Sequence, residues 1–553
     1  MKRLLVAFIA LLLPAAACAQ GVVASADPRA TEAGREMLRQ GGSATDAALA
    51  MLVALTVVEP QSSGIGGGGF LLHHDAETRV LTTIDGRETA PAAARPDRFL
   101  TAEGAPMPFL EAVPGGRSVG VPGNLRLMAM AHAKWGRLDW AALFQPAIRL
   151  AEQGYDVTAP LAAYTRMLAP RWADFPETAA LYLNDGEPLE VGDHIRNPAL
   201  AAFLRRLAAE GADAFYTGEN AEAIVNRVAQ SPNSPGDMTL GDLAAYRAVE
   251  RPAVCGGYRD YTVCGMGPPS SGATTVLQIL GMLERFDIGE MGARSPTAWH
   301  LIGQAMRLAY ADRGKYLGDP DFVSVPVAGL VDPGYLARRA RLIAPERALE
   351  RYQPGTPPGA QPRTDAVQPD VPGTTHFVAV DRAGNVVSMT STVEGPFGSQ
   401  LLANGYVLNN ELTDFSFAPE EAGATVANAV APGKRPLSSM SPTIVYDAEG
   451  RPVLALGSAG GRRIIMHVAK TLIGVLDWDL PVAEAMALPN LYYDDAELLI
   501  EATPLGAELA REIAPLGAVR AADQGSKVTA VERTPEGWRG AADPRSVGTA
   551  ATE

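Results

Sequence analysis

The chain has 553 residues, of which 47% are hydrophobic and 20% charged, and its formal net charge is −15. These proportions are typical of a globular protein and exclude wholesale disorder, while the length allows several domains or one large core. The negative charge argues against nucleic acid or an anionic membrane surface as a partner. An enzyme that acts on small molecules fits this composition better.

The N-terminus has the features of a secretory signal. Lys2 and Arg3 precede an apolar run over residues 4–13, and small residues lead to Ala19. This order predicts a signal peptide over residues 1–19 and a secreted, periplasmic protein. The alternative is a poor lipoprotein motif that would leave Cys18 acylated. The apolar run is too short to span a bilayer, and no later stretch is long and apolar enough, so no integral membrane segment is expected after signal removal.

Two predicted helices, over residues 30–39 and 43–57, precede a glycine-rich loop that ends at residue 70. The second helix is apolar on nearly all faces and should be buried. The loop comes between a helix and a strand, which is the wrong order for a dinucleotide-binding turn, so we expect close backbone packing around a site. His73 and His74 lack partners at metal-ligand spacing, which favours a surface strand and no metal.

Two cysteines remain after the signal, Cys255 and Cys264. A two-residue turn at Arg259 and Asp260 would place them opposite each other in a hairpin, at a separation that a disulfide can bridge. An oxidising compartment would permit the bond. Two unpaired buried thiols are the alternative.

Helices are predicted over residues 273–286, 296–316 and 462–476, and strands over 443–446 and 453–456. The proline-rich residues 350–373 have the composition of a linker. Strands that alternate with well-separated helices indicate a layered α/β protein, with helices covering two stacked sheets.

A hairpin follows the linker. Its alternating and β-branched residues flank a turn over residues 381–385. Centring the hairpin on Ala383 places Val380 opposite Val386 and Thr374 opposite Thr392. Two threonine hydroxyls would then lie side by side, provided that no register slip or bulge intervenes.

Threonine chemistry remains after other nucleophiles are considered, because Ser458 lacks the glycine that a nucleophile elbow requires. A Thr at the start of a chain can use its own α-amine as the base. Thr374 becomes such a residue if the Gly373–Thr374 bond is cut. Attack of its side chain on the preceding carbonyl, followed by hydrolysis of the resulting ester, would cut it.

Six segments of the sequence carry a family resemblance that covers nearly the whole mature chain. They are Gly-Ile-Gly-Gly-Gly-Gly-Phe at 64–70, Gly-Thr-Thr-His-Phe at 373–377, Leu-Asn-Asn-Glu-Leu-Thr-Asp-Phe at 408–415, Lys-Arg-Pro-Leu-Ser-Ser-Met-Ser-Pro at 434–442, Gly-Ser-Ala-Gly-Gly at 457–461 and Ala-Asp-Pro-Arg at 542–545. In this order they resemble the γ-glutamyltranspeptidase (glutathione hydrolase) family.

The resemblance implies an N-terminal-nucleophile hydrolase with a four-layer αββα sandwich. It implies self-cleavage into a large subunit, residues 20–373, and a small catalytic subunit, residues 374–553, which together form one domain and a heterodimer. Thr374 matches the nucleophile and Thr392 the threonine that hydrogen-bonds it. Gly460 and Gly461 match the backbone donors that stabilise the oxyanion.

The resemblance also implies the substrate contacts. Arg87, Ser438 and Ser439 match the residues that bind the α-carboxylate of a γ-glutamyl group, and Glu411 and Asp414 match those that bind its α-ammonium. A zwitterionic head group needs one cationic and one anionic wall, which these charges supply. Glu394 stands where well-studied members have Asn, and we expect it to alter affinity or substrate choice.

The function implied is cleavage of the γ-glutamyl amide of glutathione and related compounds, with transfer to water or to an amino acid or peptide acceptor and without a cofactor. The loop over residues 417–427 is shorter than the family's lid and has no Tyr, which favours hydrolysis over transpeptidation. The alternatives are a cephalosporin or glutaryl acylase, a poly-γ-glutamate depolymerase, and an unprocessed homologue that only binds peptides. Glutaryl lacks an α-ammonium, so Glu411 and Asp414 disfavour the acylase.

Overall fold

The computed structural model describes residues 20–364, 373–494 and 497–553. The predicted signal peptide and residues 365–372 of the linker lie outside these ranges. Residues 351–364 form neither helix nor strand, but Gly355 donates its backbone N–H to Asp312. Within the described residues, no helix combines the length and the apolar character that crossing a membrane requires.

Two antiparallel sheets form the centre of the fold. The first has seven strands, in the spatial order Thr549–Thr552, Val22–Ser25, Thr375–Val380, Val386–Thr392, Gly68–His74, Leu81–Gly86 and Val249–Arg251. The second has six strands, in the order Gly537–Ala542, Thr529–Thr534, Pro452–Gly457, Thr443–Tyr446, Tyr261–Gly265 and Val254–Tyr258.

Side chains alternate between two hydrophobic cores along the central strands, as the period of a β-strand requires. Val378 and Val380 point into the core between the two sheets, where they join Ile444 of the second sheet. Phe377 and Ala379 point the other way, into the core beneath the helices. The strands are therefore apolar on both faces because both faces are covered.

Helices cover the outer face of each sheet. Pro28–Arg39 and Ala44–Val58 share the core of the first sheet, and Gly272–Leu283, Pro296–Tyr316 and Ile464–Leu476 share that of the second. Further helices of eight or more residues are Asn124–Trp135, Gln145–Gln153, Ala159–Leu168, Pro198–Glu210, Gly218–Ala229, Pro333–Ala340 and Pro504–Ile513. The four-layer αββα sandwich is thus confirmed, as is the buried second helix, whose residues are all buried.

The predicted register of the central hairpin is confirmed. Val380 pairs with Val386, and Thr375 pairs with Ser391 at the other end. Thr374 lies one residue ahead of its strand, which begins at Thr375.

The expectation of a surface strand at His73 and His74 is wrong. Both side chains are buried, because their strand lies inside the seven-stranded sheet. His73 stacks on Trp135 with ring centroids 4.0 Å apart, and burial lowers the pKa of His73 to about 4. The His73 ring therefore packs against Trp135 in the interior and does not face solvent.

Cys255 and Cys264 form a disulfide. Of the two alternatives, the disulfide is observed and the two unpaired thiols are not. The two residues are direct partners on the adjacent strands Val254–Tyr258 and Tyr261–Gly265. The turn between these strands consists of Arg259 and Asp260, as predicted.

Replacing both cysteines by Ser should lower stability by about 2–3 kcal/mol, because the bond restricts the unfolded chain even across a short loop. The measurement is the thermal midpoint of wild type and variant, each beginning at Gln20 so that Cys18 is absent. Thiol titration of denatured, unreduced wild type provides the control and should find no free thiol. Equal midpoints, or two free thiols, would contradict the prediction.

Candidate active site

The peptide bond between Gly373 and Thr374 is held from both sides by backbone hydrogen bonds. The N–H of Thr374 donates to the carbonyl of Ser62 at 3.1 Å, and the carbonyl of Gly373 accepts from the N–H of Gly460 at 3.1 Å. Thr374 has a φ of 84°. A β-branched residue in this region is strained, by about 1–3 kcal/mol. The chain is therefore strained at the predicted cleavage point.

Thr374 and Thr392 lie side by side as the register predicts. Their Oγ1 atoms are 3.0 Å apart, and both side chains are buried. Thr392 Oγ1 also accepts the backbone N–H of Glu394 at 2.8 Å, which fixes its orientation. The nucleophile candidate thus has a hydroxyl partner held in place by the next turn of the chain.

Gly460 and Gly461 lie between the strand Pro452–Gly457 and the helix Ile464–Leu476. Their φ values are 128° and 58°, a backbone conformation that side chains other than Gly rarely adopt. This turn directs the N–H of Gly460 at the carbonyl of Gly373. Gly461 lies beside Thr374 in the wall of a small pocket. A donor for a developing oxyanion is therefore in place at Gly460, while the matching role of Gly461 stays a prediction.

The small pocket next to Thr374 has a volume of about 30 Å³. It brings together all the residues that were expected to bind substrate, namely Arg87, Glu394, Glu411, Asp414, Ser438 and Ser439. Arg87 and Glu394 follow the strands Leu81–Gly86 and Val386–Thr392, Glu411 and Asp414 belong to a short 3-10 helix, and Ser438 and Ser439 precede the strand Thr443–Tyr446. The central hairpin supplies Thr374 and Thr392.

The charged walls of this pocket touch each other. Arg87 is buried and donates to the carboxylates of both Glu411 and Asp414, and to the carbonyls of Pro436 and Leu437 at 3.2 Å. Sequence reasoning treated Arg87 and the carboxylates as opposite walls. In the folded chain they neutralise each other directly, because an unpaired buried charge is costly.

Burial and mutual repulsion raise the pKa values of the pocket carboxylates. Burial raises the pKa of Glu411 to about 7, with Arg87 opposing and Asp414 adding to the shift. Burial, followed by the charges of Asp414 and Glu411, raises the pKa of Glu394 well above its ordinary value. Asn410 donates a side-chain hydrogen bond to Glu394. The excess negative charge expected here is thus relieved by proton uptake.

Sequence reasoning missed a fourth carboxylate in this group, Glu88. It is fully buried, its nearest carboxylate oxygen lies 4.0 Å from Arg87, and burial with the charge of Glu411 raises its pKa. Its position next to Arg87 in sequence is the signal that could have found it.

Arg313 is the second residue that was missed. It belongs to the buried part of the helix Pro296–Tyr316 and donates to the hydroxyl of Ser439 at 2.8 Å. Ser438 is fixed by its backbone, which bonds to the loop before the helix Gly272–Leu283. An Arg inside a buried stretch of a long helix could have drawn attention, because such residues are rarely placed there without a partner.

The loop over residues 417–427, which was expected to be shorter than the family's lid, carries a short exposed hairpin, Glu420–Glu421 with Ala424–Thr425. Phe417, at its start, stacks on Phe99 with ring centroids 4.6 Å apart. The residues that line the small pocket do not include this hairpin.

Comparison with known proteins places the chain in a family. The sequence model described as Gamma-glutamyltranspeptidase matches residues 30–553. The chain belongs to this family. The glutathione hydrolase proenzyme of Bacillus subtilis (strain 168) is 40% identical to it over 487 residues, which span 85% of this chain and 80% of the relative.

Two solved structures extend the comparison. Cephalosporin acylase from Bacillus halodurans superimposes with a TM-score of 0.86 at 27% identity, covering 99% of each chain. Helicobacter pylori gamma-glutamyltranspeptidase superimposes with a TM-score of 0.58 at 36% identity, covering 60% of this chain and 94% of that one. The resemblance found in the sequence motifs is thereby confirmed.

Replacing Arg87 by Met should destabilise the protein by about 3–5 kcal/mol near neutral pH, because buried carboxylates lose their counter-charge. The carboxylates have raised folded-state pKa values, so they are neutral at low pH and the deficit should shrink as pH falls below about 7. Thermal midpoints between about pH 5 and pH 8 measure this effect.

The matched control is Arg294→Met, which breaks an exposed pair with Glu508 at 2.8 Å. An exposed pair contributes about 0–1 kcal/mol, so this variant should melt close to wild type at every pH. A deficit in Arg87→Met that is the same at each pH would contradict the charge argument.

Proposed function

We propose that this protein is a self-cleaving γ-glutamyl hydrolase with Thr374 as its nucleophile, acting on glutathione and related γ-glutamyl compounds. One observation carries the proposal. At the strained Gly373–Thr374 bond, the carbonyl of Gly373 accepts the N–H of Gly460, and the hydroxyl oxygen of Thr374 lies 3.0 Å from that of Thr392. The arrangement sets an attacking oxygen and an oxyanion donor at one peptide bond.

Self-cleavage begins with attack of Thr374 Oγ1 on the carbonyl carbon of Gly373. The peptide C–N bond breaks, the nitrogen of Thr374 keeps its own proton and takes up the hydroxyl proton to become an amine, and an ester joins Gly373 to the side-chain oxygen. Water then hydrolyses the ester, leaving a carboxylate on Gly373 and a free amine on Thr374. The φ torsion of Thr374 no longer exists after cleavage, so its strain is released. Residues 20–373 and 374–553 remain together as a heterodimer, because both pieces contribute strands to each of the two sheets.

Substrate cleavage reuses the same groups. The new amine of Thr374, held by the carbonyl of Ser62, takes the hydroxyl proton as Oγ1 attacks the γ-amide. The amide C–N bond breaks, the leaving nitrogen receives that proton, and the γ-glutamyl group becomes an ester on Thr374. Water or an acceptor amine then releases it. The N–H groups of Gly460 and Gly461 stabilise the oxyanion in both steps.

The small pocket supports a γ-glutamyl head rather than a glutaryl one. A substrate α-carboxylate takes donors from Arg87 and the Ser438–Ser439 pair, and the α-ammonium replaces the charge that Arg87 then withdraws from Glu411 and Asp414. The ligand's carboxylate thus replaces the protein carboxylates at Arg87, and its ammonium replaces Arg87 beside those carboxylates. Glutaryl offers no ammonium, so it would leave these carboxylates unpaired, although an acylase is among the similar structures.

Glu394 and the shortened lid set the finer preferences. Glu394 adds a third carboxylate near the ammonium, and its raised pKa allows it to bind as a neutral or charged group. The hairpin at Glu420–Glu421 does not line the small pocket, which leaves water access and favours hydrolysis over transfer. The signal over residues 1–19 and the disulfide Cys255–Cys264 fit export to an oxidising compartment such as the periplasm.

Thr374→Ala should abolish both cleavage and activity, because it removes the attacking oxygen. Denaturing electrophoresis should give two bands for wild type and one for the variant. Wild type should hydrolyse γ-glutamyl-4-nitroanilide at least about 100-fold faster than the glutaryl analogue, as expected when a site built for a polar group meets a substrate that lacks it. A single full-length band in active wild type would refute the mechanism.

Affinity for free L-glutamate should rise as pH increases through about 7, because Glu411 must lose its proton to pair with the ammonium. The measurement is the inhibition constant of L-glutamate between about pH 6 and pH 8, with glutarate as the ligand without an ammonium. Glu411→Gln should flatten the rise for L-glutamate. The assignment of the ammonium site to Glu411 fails if the variant keeps the wild-type pH dependence.

A further inference from the structure

One peptide unit, which joins Ala459 to Gly460, carries the oxyanion donor. Its N–H, on Gly460, donates to the carbonyl of Gly373 at 3.1 Å. A trans peptide unit is planar, and its C=O and N–H bonds point in opposite directions. Any group that holds the carbonyl of Ala459 therefore also sets the direction of the Gly460 N–H.

The backbone of Gly460 does not secure this direction by itself. A peptide unit reverses when ψ of the residue before it and φ of the residue after it rotate together. The φ of Gly460 is 128°, and Gly adopts positive and negative φ about equally well. Reversal would place the carbonyl oxygen of Ala459, in place of a donor, next to the oxyanion. Side chains around the turn must therefore hold the unit in its productive orientation.

Two side chains contact the carbonyl of Ala459. The hydroxyl of Ser458 donates to it at 3.0 Å from within the turn. Nδ1 of His467 lies 3.1 Å from the same oxygen and 3.0 Å from Ser458 Oγ. His467 belongs to the first turn of the helix Ile464–Leu476 and is 1% exposed. Its ring also packs on the turn, since a Cβ placed on Gly460 would lie 3.0 Å from His467 Cε1.

These contacts assign the imidazole proton of His467 to Nδ1. A carbonyl oxygen only accepts hydrogen bonds, so the ring nitrogen beside it must donate. Nε2 is buried and has no hydrogen-bond partner among the described residues, so a proton on it would be unsatisfied. Burial, followed by the charge of Lys470, lowers the pKa of His467 to about 3. The ring is therefore neutral near neutral pH and has one N–H to donate.

We propose that His467 is a positioning residue for the reaction: its Nδ1–H holds the carbonyl of Ala459 and thereby keeps the N–H of Gly460 directed at the oxyanion. The inference rests on the proposed function, with Thr374 as nucleophile. Ser458 lies in the turn and moves with it, whereas His467 anchors the turn to a buried helix. The same contact serves self-cleavage and substrate cleavage, because Gly460 is the donor in both.

His467→Leu removes the donor and keeps the position filled by an apolar side chain. The first-turnover release of 4-nitroaniline from γ-glutamyl-4-nitroanilide gives the acylation rate constant and the half-saturating concentration. The rate constant should fall about ten- to a hundredfold, less than when an oxyanion donor is deleted outright, because Ser458 remains. The half-saturating concentration should stay within about twofold of wild type. Loss of folded protein would instead lower the amount of 4-nitroaniline released in that turnover.

His467→Asn and His467→Gln separate the hydrogen bond from the shape of the ring. The amide nitrogen of Asn is bonded to Cγ, as Nδ1 of His is, whereas that of Gln is one bond further out. The Asn variant should acylate within about threefold of wild type, and the Gln variant should be as slow as the Leu variant.

Equal acylation rate constants in the Asn and Gln variants, or a wild-type rate constant in His467→Leu, would overturn the role of His467. The Asn and Gln variants both place a neutral amide at the same position. Their comparison therefore decides the question even if His467→Leu does not fold.

His300→Leu is the matched control. His300 is also a buried helical histidine, and its Nε2 lies 3.2 Å from a backbone carbonyl, that of Ala344. Neither residue lines the small pocket. This variant should keep both wild-type kinetic values. An acylation defect equal to that of His467→Leu would show that loss of any buried histidine slows the reaction, which contradicts the proposal.

The proposed function can be judged separately in the same experiment. If wild type remains one uncleaved chain and releases no 4-nitroaniline, the γ-glutamyl hydrolase itself is rejected. If wild type is cleaved and active and His467→Leu acylates equally fast, the hydrolase stands and only the role of His467 is rejected.

Discussion

The pair of backbone hydrogen bonds that holds the Gly373–Thr374 bond is the constraint on which the rest of the site depends. Ser62 holds the nitrogen side and Gly460 the carbonyl side, each through a 3.1 Å hydrogen bond. Both holders come from turns at the ends of regular elements, so the sandwich determines their separation. A bond fixed in this way places the hydroxyl of Thr374 against Thr392 and keeps the backbone in a strained conformation.

Charge balance is the second constraint. Arg87 neutralises Glu411 and Asp414, while Glu394 and Glu88 are nearby and have raised pKa values. More carboxylates surround this guanidinium than it can neutralise, so protons make up the difference. The small pocket thereby presents both a cation and carboxylates, the groups that a ligand with one negative and one positive charge requires.

Two separate spaces border the reacting bond: the small pocket at Thr374 and Gly461, and a cavity of about 410 Å³ partly walled by Gly373 and Gly460. The small pocket contains the ion pairs of Arg87, whereas the larger cavity is lined by the Lys527–Glu59 pair.

Patterns within short stretches of the sequence were sufficient to predict a large part of this structure. The register of the hairpin, the pairing of Cys255 with Cys264 and the buried helix before the glycine-rich loop follow from residue periodicity and turn spacing. Family motifs added Thr374 and the pocket residues, which the fold does bring together. Prediction failed at His73 and His74, because whether a strand lies inside or at the edge of a sheet depends on partners elsewhere in the chain.

The sequence by itself determined the elements, the register and the identity of the chemical groups, since these depend on neighbours along the chain. Only the tertiary structure decided which charges touch, because electrostatic partners are chosen by distance in space. Arg87 meets Glu411 across 324 positions, and Lys527 meets Glu59 across 468. The direct contact of Arg87 with the pocket carboxylates, the burial of Glu88 beside them and the second cavity could not be read from spacing for the same reason.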